Sequence, residues 1–246
     1  LARDRRHVAL TTEGRRFQAY AGDVLERWAA FDSELHSVEE LSGTLSVFCT
    51  VTASQSIVPA MLRRFREAYP AVHIALETGY AGNALAMLDS DAVDVTITAL
   101  PPRLPRALAA QVLAITPLVF VAPTAQCPVS TALERRRIVW TELPMVLPPS
   151  GLARDYVEQW FRAQHLQATI YSEVASHEAI LSLVSLGCGV GVVPRLVLDK
   201  SPLAADVRVV DIRPPLGDFQ VGVCVRRRDL RTPLVGAFWT CVTDTA

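Results

Sequence analysis

Hydroxyl side chains gather where this chain turns from strand to helix. Thr50, Thr52, Ser54 and Ser56 follow the first strand-like run of the interior and lead into a helical stretch. Thr78-Gly79 follows the next strand, Thr98 ends the third, and Ser150 and Ser176 hold equivalent places further on. In open α/β sheets, small molecules bind beyond the carboxyl ends of the strands. A helix N-terminus at such a place presents free backbone N–H groups and the positive end of its dipole, enough to hold a small carboxylate without Lys or Arg. Hydroxyls add donors and acceptors for a polar ligand. Ser and Thr also cap helices and fill turns, so each residue taken singly fits either use. Taken as a set, they point to a ligand cleft.

Signals for catalysis are missing. The chain has no G-x-S-x-G elbow, no H-E-x-x-H, no P-loop and no glycine fingerprint opening a helix after a strand. Gly187-Cys188-Gly189-Val190-Gly191 comes after a helical pattern and leads into a strand, the wrong order for cradling a phosphate. Its glycines are better read as a helix C-cap at Gly187 and close helix–strand approach at Gly189 and Gly191. His177 stands beside Glu178 between apolar elements. It can line the cleft or begin a helix; as a catalytic base it has no evident partner. Cys49, Cys127, Cys188, Cys224 and Cys241 form no C-x-x-C pair and have no His at zinc-ligand spacing. Cys49, Cys188 and Cys224 lie in apolar stretches and read as small hydrophobes, with a redox pair as the alternative. No catalytic residue, metal or cofactor is therefore expected.

The elements that must position these residues follow from periodicity. With 246 residues, 50% of them hydrophobic, the chain can bury a sizeable core in one or two domains. Net charge is -1, so nothing global points to nucleic acid; Lys200 is the sole lysine, which reads as genomic base composition rather than function. No signal peptide or membrane-length apolar run is visible, which with the scattered thiols suggests a cytoplasmic protein without a membrane partner.

After Gly43 strands and helices alternate. Strands are expected at Thr44 to Thr50, Val72 to Leu76 and Val93 to Thr98, with helices at Ser56 to Tyr69 and Asn83 to Asp89. Two more strands are expected around Ala107 to Ile115 and Pro117 to Ala122. A second unit follows: strand Pro144 to Leu147, helix Leu152 to Gln164, strand Ala168 to Val174, helix Ala179 to Leu186 and the strand ending at Pro194. A strand at Phe219 to Val225 and a helix at Pro233 to Val242 close the chain. This pattern predicts an α/β protein of two lobes joined by two crossing strands, with a cleft between them.

The opening segment differs. Leu1 to Leu10 reads as a charged hairpin, with Arg3, Arg5 and Arg6 against Asp4. Thr11 then caps a long helix, with Glu13 in its first turn. Phe17, Tyr20, Ala21, Val24, Leu25, Trp28, Phe31, Leu35 and Val38 form an apolar stripe that Ser42-Gly43 ends. About 30 residues at about 1.5 Å each give roughly 45 Å. Such a stripe is expected to meet a copy of itself; packing on its own domain is the alternative. Because the hairpin has nothing before it to pack against, Leu1 is read as a truncation point.

These residues resemble LysR-type transcriptional regulators. Val8, Leu10, Thr11 and Gly14 are similar to the wing and linker-helix start. The resemblance continues through Leu45 to Thr50, Pro59, Phe65, Tyr69-Pro70, Asp94 and Gly187-Cys188-Gly189-Val190 with Pro194. Each motif is weak; their order along nearly the whole chain is specific. Val47 to Ala53, Cys127-Pro128-Val129, Trp160-Phe161-Arg162, His177-Glu178-Ala179 and Gly222-Val223-Cys224 look most like the regulators of branched-chain amino-acid synthesis in that family.

The resemblance implies a two-lobed periplasmic-binding-protein-like (type 2) effector domain at 43–246, with lobe I at 43–122 plus 219–246 and lobe II at 123–218. A linker and dimerisation helix at 12–42 and a wing remnant of a winged helix-turn-helix at 1–11 precede it. It implies a homodimer or homotetramer acting on promoter DNA, with acetolactate or acetohydroxybutyrate as effector. Family effector contacts carry over to Thr50, Thr52, Ser54, Thr78, Thr98 and Ser176 or His177. The recognition helix has no counterpart here, which leaves Arg3, Arg5 and Arg6 as weak phosphate contacts. A solute-binding protein, or an enzyme acting on small acids, remains the alternative use of the same fold.

Overall fold

Strands β1 (Ala2–Asp4) and β2 (His7–Ala9) pair antiparallel with Arg3 opposite Val8, the hairpin that the opening residues predict. The computed structural model describes residues 2–4, 7–9, 11–36 and 41–243; Arg5 and Arg6 lie outside the described residues. Helix α1 (Thr12–His36) begins where expected: the Thr11 hydroxyl accepts the Gly14 N–H at 3.1 Å, and Glu13 sits in the first turn. It has 25 residues, and the end of the expected helix, with Val38, falls among residues 37–40 outside the description. Phe17, Tyr20, Val24 and Leu25 are exposed along it.

The first lobe is built on three parallel strands. β3 (Gly43–Cys49) lies between β4 (Val72–Thr78) and β5 (Val95–Ala99). The connection from β3 to β4 holds two helices, α2 (Val51–Ser56) and α3 (Val58–Ala68), where the periodicity suggests one from Ser56 to Tyr69. Pro59 explains the break: it has no N–H to continue the ladder from α2, and it suits the first turn of a new helix. α4 (Ala84–Asp89), entered through a 3₁₀ turn at Ala81–Asn83, connects β4 to β5. Asp94 precedes β5 rather than lying within it. Its carboxylate accepts the Ser46 N–H at 2.9 Å and the Ser46 hydroxyl at 2.6 Å, and so ties the start of β5 to β3.

The two strands expected between Ala107 and Ala122 are one, β6 (Leu108–Pro123). Beyond it lie α5 (Pro128–Leu133), β7 (Pro144–Leu147), α6 (Leu152–Ala163), β8 (Thr169–Glu173), α7 (His177–Ser185), β9 (Val190–Pro194), α8 (Arg195–Lys200), β10 (Val207–Val210), β11 (Asp218–Arg226) and α9 (Pro233–Thr243). Sequence periodicity did not separate α5, α8 and β10, all of four to six residues and too short to show a period. β6 pairs with β11 from Leu108 to Pro117, then with β9 from Leu118 and with β10 up to Pro123. Pro117 therefore falls where the strand changes partner, a place that tolerates a missing ladder donor. The strand order β4-β3-β5-β11-β6-β9-β7-β8 gives two α/β lobes that share β6.

The main hydrophobic core is one cluster that runs through both lobes. Phe120, Trp140, Trp160 and Phe161 form an aromatic cluster with neighbouring centroids 5.0 to 5.2 Å apart under the second lobe. The Trp160 indole N–H is satisfied by the Pro214 carbonyl at 2.7 Å. Phe65 meets Phe238 at 5.2 Å, fixing α9 on α3 in the first lobe. Burying each such side chain contributes about 1.5–3 kcal/mol. Cys49 and Cys224 lie in these interiors, where burial pushes their thiols up to about 11 and about 12; they are inert packing groups.

Candidate functional site

The carboxyl ends of the strands in both lobes open on one cleft of about 230 Å³. From the first lobe come Thr50 and Thr52 at the start of α2, the turn Gly79–Gly82 after β4, and Ala99 at the end of β5. From the second come Ser150 to Ala153 and Asp155 at the start of α6, and Ser176, His177 and Glu178 at the start of α7. Phe219 of β11 closes the back.

Local chemistry sets each wall. Thr50 has extended backbone, and its hydroxyl caps α2 by accepting the Ala53 N–H at 3.3 Å. Ser176 does the same for α7 with the Ala179 N–H at 3.1 Å. Gly151 precedes α6 with φ at +89°, a conformation that favours glycine, and it has no side chain with which to cap the helix. The first-turn N–H groups of that 12-residue helix are therefore left to the cleft, backed by its dipole.

Two residue pairs bridge the opening by hydrogen bonds. The Thr52 hydroxyl donates to Glu178 Oε1, joining α2 to α7. The Tyr80 hydroxyl donates to the Ser150 carbonyl and accepts the Ser150 N–H at 3.2 Å. The charges are of one sign: Asp155 and Glu178 line the cleft, and no Lys or Arg does so among the described residues. His177 does not supply a cation. It keeps some accessible surface, but protein atoms enclose its ring, and this desolvation lowers its pKa to about 4 against the opposing pull of the Glu178 carboxylate. Its ring stands edge-on to Phe219 at 6.4 Å.

Of the residues singled out by sequence, Thr50, Thr52, Ser150, Ser176 and His177 meet in the cleft. Ser54, Thr78 and Thr98 do not line it. Ser54 turns its hydroxyl back to the Val51 carbonyl at 2.6 Å, a local bond one turn away. Thr78 is exposed at the end of edge strand β4, and its neighbours Gly79 and Tyr80 reach the cleft instead. Thr98 is buried below the floor, its hydroxyl 3.5 Å from the Ala81 carbonyl. The residue pattern singles out neither Tyr80 nor Asp155, though both line the cleft. Ser150 marks the α6 N-terminus as a cleft wall; nothing in the sequence marks Tyr80.

This is the architecture of a ligand-sensing domain of the LysR type, and residues 39–246 match the LysR substrate binding domain. The chain belongs to the LysR family of transcriptional regulators.

Its relatives narrow the group. The chain is 35% identical over 239 residues to the transcriptional activator IlvY of Haemophilus influenzae, covering 96% of this chain and 82% of that protein. It is 35% identical over 247 residues to IlvY of Escherichia coli, covering 96% and 81%. IlvR of Caulobacter vibrioides is 31% identical over 256 residues, covering 99% and 82%. Among solved structures, the effector binding domain of QuiR in complex with shikimate superposes with a TM-score of 0.70 at 18% identity, over 83% of this chain and 97% of that one. The regulator CbnR gives 0.61 at 20% identity, over 98% and 83%. Both share the fold.

Proposed function

We propose that this chain is the metabolite-sensing and oligomerising part of a LysR-type regulator that controls branched-chain amino-acid biosynthesis. Residues 43–246 sense the effector, 12–42 dimerise, and 1–11 belong to the wing of the DNA-binding module. In the intact cytoplasmic protein, a homotetramer grips promoter DNA through its helix-turn-helix, with Arg3, Arg5 and Arg6 near phosphate. The effector is a small 2-hydroxy acid, acetolactate or acetohydroxybutyrate, held by Thr50, Thr52, Ser176 and the α6 N-terminus.

One observation carries this reading: uncapped helix N–H groups and hydroxyls from both lobes face the same small cleft. Such a site holds a carboxylate by backbone dipoles. A ligand touching both walls favours the closed arrangement, and only that differential affinity can shift the oligomer on DNA.

The test is thermal unfolding with ligand. Acetolactate at millimolar concentration is expected to raise the melting temperature, with valine raising it less. At one hundred times Kd the gain is about 2.7 kcal/mol, a shift of about 5–10 °C for a chain of this size. No shift with acetolactate or acetohydroxybutyrate at that concentration sinks the effector assignment.

A further inference from the structure

Two carboxylates line the cleft, and they are placed differently. Asp155 lies in the first turn of α6, where the helix dipole favours its charge. Glu178 lies in the first turn of α7, yet its Oε1 is engaged across the cleft by the Thr52 hydroxyl. A carboxylate only accepts hydrogen bonds and has about four lone-pair sites. No Lys or Arg among the described lining residues competes for them. The half-buried Glu178 therefore offers the cavity an acceptor that is short of donors.

We propose that Glu178 selects the effector by accepting a hydrogen bond from a donor on the carbon next to the effector's carboxylate, so that the cleft takes 2-hydroxy acids and rejects 2-oxo acids of the same skeleton. This rests on the small-carboxylate reading of the cleft given above. The two kinds of wall divide the ligand between them. The α6 N–H groups are donors and suit its carboxylate; Glu178 is an acceptor and suits its hydroxyl. A 2-oxo group has only lone pairs to set against the Glu178 carboxylate, and it leaves that charge without the partner water had supplied. Sites that hydrogen-bond a substrate hydroxyl discriminate strongly against analogues lacking it, because the polar group of the site is left unpaired. The Thr52 bond then has a second meaning. It occupies Glu178 in the empty cleft, and the effector hydroxyl replaces or joins it on binding.

Isothermal titration of the full chain with 2-hydroxyisovalerate, 2-oxoisovalerate and valine tests the assignment, since the three share one carbon skeleton. Wild type is expected to bind the hydroxy acid at least about tenfold more tightly than the oxo acid. In Glu178→Gln, whose amide can also donate to an oxo group, the two should fall within about threefold of each other. Thr52→Val removes a hydroxyl that also holds the effector, so both acids should bind more weakly, but with Glu178 in place their ratio should be kept. Equal affinities in wild type, an unchanged ratio in Glu178→Gln, or loss of the preference in Thr52→Val each overturn it. Valine binding more tightly than the hydroxy acid also overturns it, because the donor would then be an ammonium. If none of the three binds, the small-carboxylate reading itself has failed; if both acids bind equally, only the role of Glu178 has.

Discussion

The Tyr80 phenol holds both backbone groups of Ser150 across the cleft, accepting its N–H at 3.2 Å and donating to its carbonyl. The two residues belong to different lobes, so this pair bridges the cleft among the described residues, as Thr52 and Glu178 do. Tyr80→Phe removes the bridge and leaves the ring in place. The melting temperature should fall by about 2–4 °C, equivalent to about 1 kcal/mol. Small-angle scattering of the unliganded chain should show a larger radius of gyration. No change in either would mean that the bridge does not hold the lobes.

Acidification should weaken the fold through His177. Its folded pKa, about 4, lies below the ordinary 6.5 because burial disfavours the cation. Between these values the unfolded chain takes up a proton that the native chain refuses, so stability falls as pH drops through this window, by at most about 1.4 kcal/mol per pH unit from this group. Above the window the group contributes no slope. Urea unfolding across the window in wild type and His177→Gln checks it: the variant should have a flatter dependence, and parallel curves would refute the assignment.

Arg226 should matter most to the first lobe. Its side chain is 10% exposed and donates to the carbonyls of Leu88 and Val93 at 2.6 and 2.7 Å, while Asp91 and Asp229 pair with it. Arg226→Met leaves the two buried carbonyls without their donor, while Asp91 and Asp229 keep their pairing with Arg228. The expected loss is about 2–4 kcal/mol in denaturant unfolding, from two buried carbonyls left unsatisfied; under about 1 kcal/mol would show that water replaces the guanidinium without penalty.

Gly191→Ala tests how closely α7 lies on the second-lobe sheet. An added Cβ would stand 2.5 Å from Ile180 Cγ2 and 2.9 Å from Val184 Cγ2, both on α7. Overpacking of this kind costs about 1–3 kcal/mol. Pushing α7 outward also displaces Ser176, His177 and Glu178, so ligand affinity should fall with stability. Gly22→Ala, in α1 with nothing within 4 Å of the new atom, is the control and should be neutral or stabilising by up to about 1 kcal/mol. Equal effects at the two positions would contradict the packing argument.

The exposed stripe Phe17, Tyr20, Val24 and Leu25 should report on self-association. Leu25→Glu places a charge in that stripe without touching the sheet. Analytical ultracentrifugation should show weakened association with an unchanged melting profile of the α/β lobes. A variant that associates as wild type would place the dimer contact elsewhere.

Much of this was legible in the sequence for a local reason. Val72, Ile74 and Leu76 alternate, so β4 could be drawn without neighbours. Thr11 and Glu13 announce α1 because capping and the dipole act within one turn. Where the structure departs from local periodicity, a longer-range effect intervenes. Thr116-Pro117 looks like a strand break, but β6 runs through it because its partner changes there from β11 to β9.

The cleft divides along the same line. The residue order alone determined that hydroxyls stand at strand ends and that strands alternate with helices; both follow from rules spanning a few residues. Only the tertiary structure decided that Thr52 faces the opening while Thr98, of the same type at an equivalent strand end, is buried beneath it. It alone brought Thr52 to Glu178 across 126 residues and Tyr80 to Ser150 across 70. Such pairs leave no periodic trace, because their partners are set by how two lobes pack around a shared strand and not by either segment's own propensity.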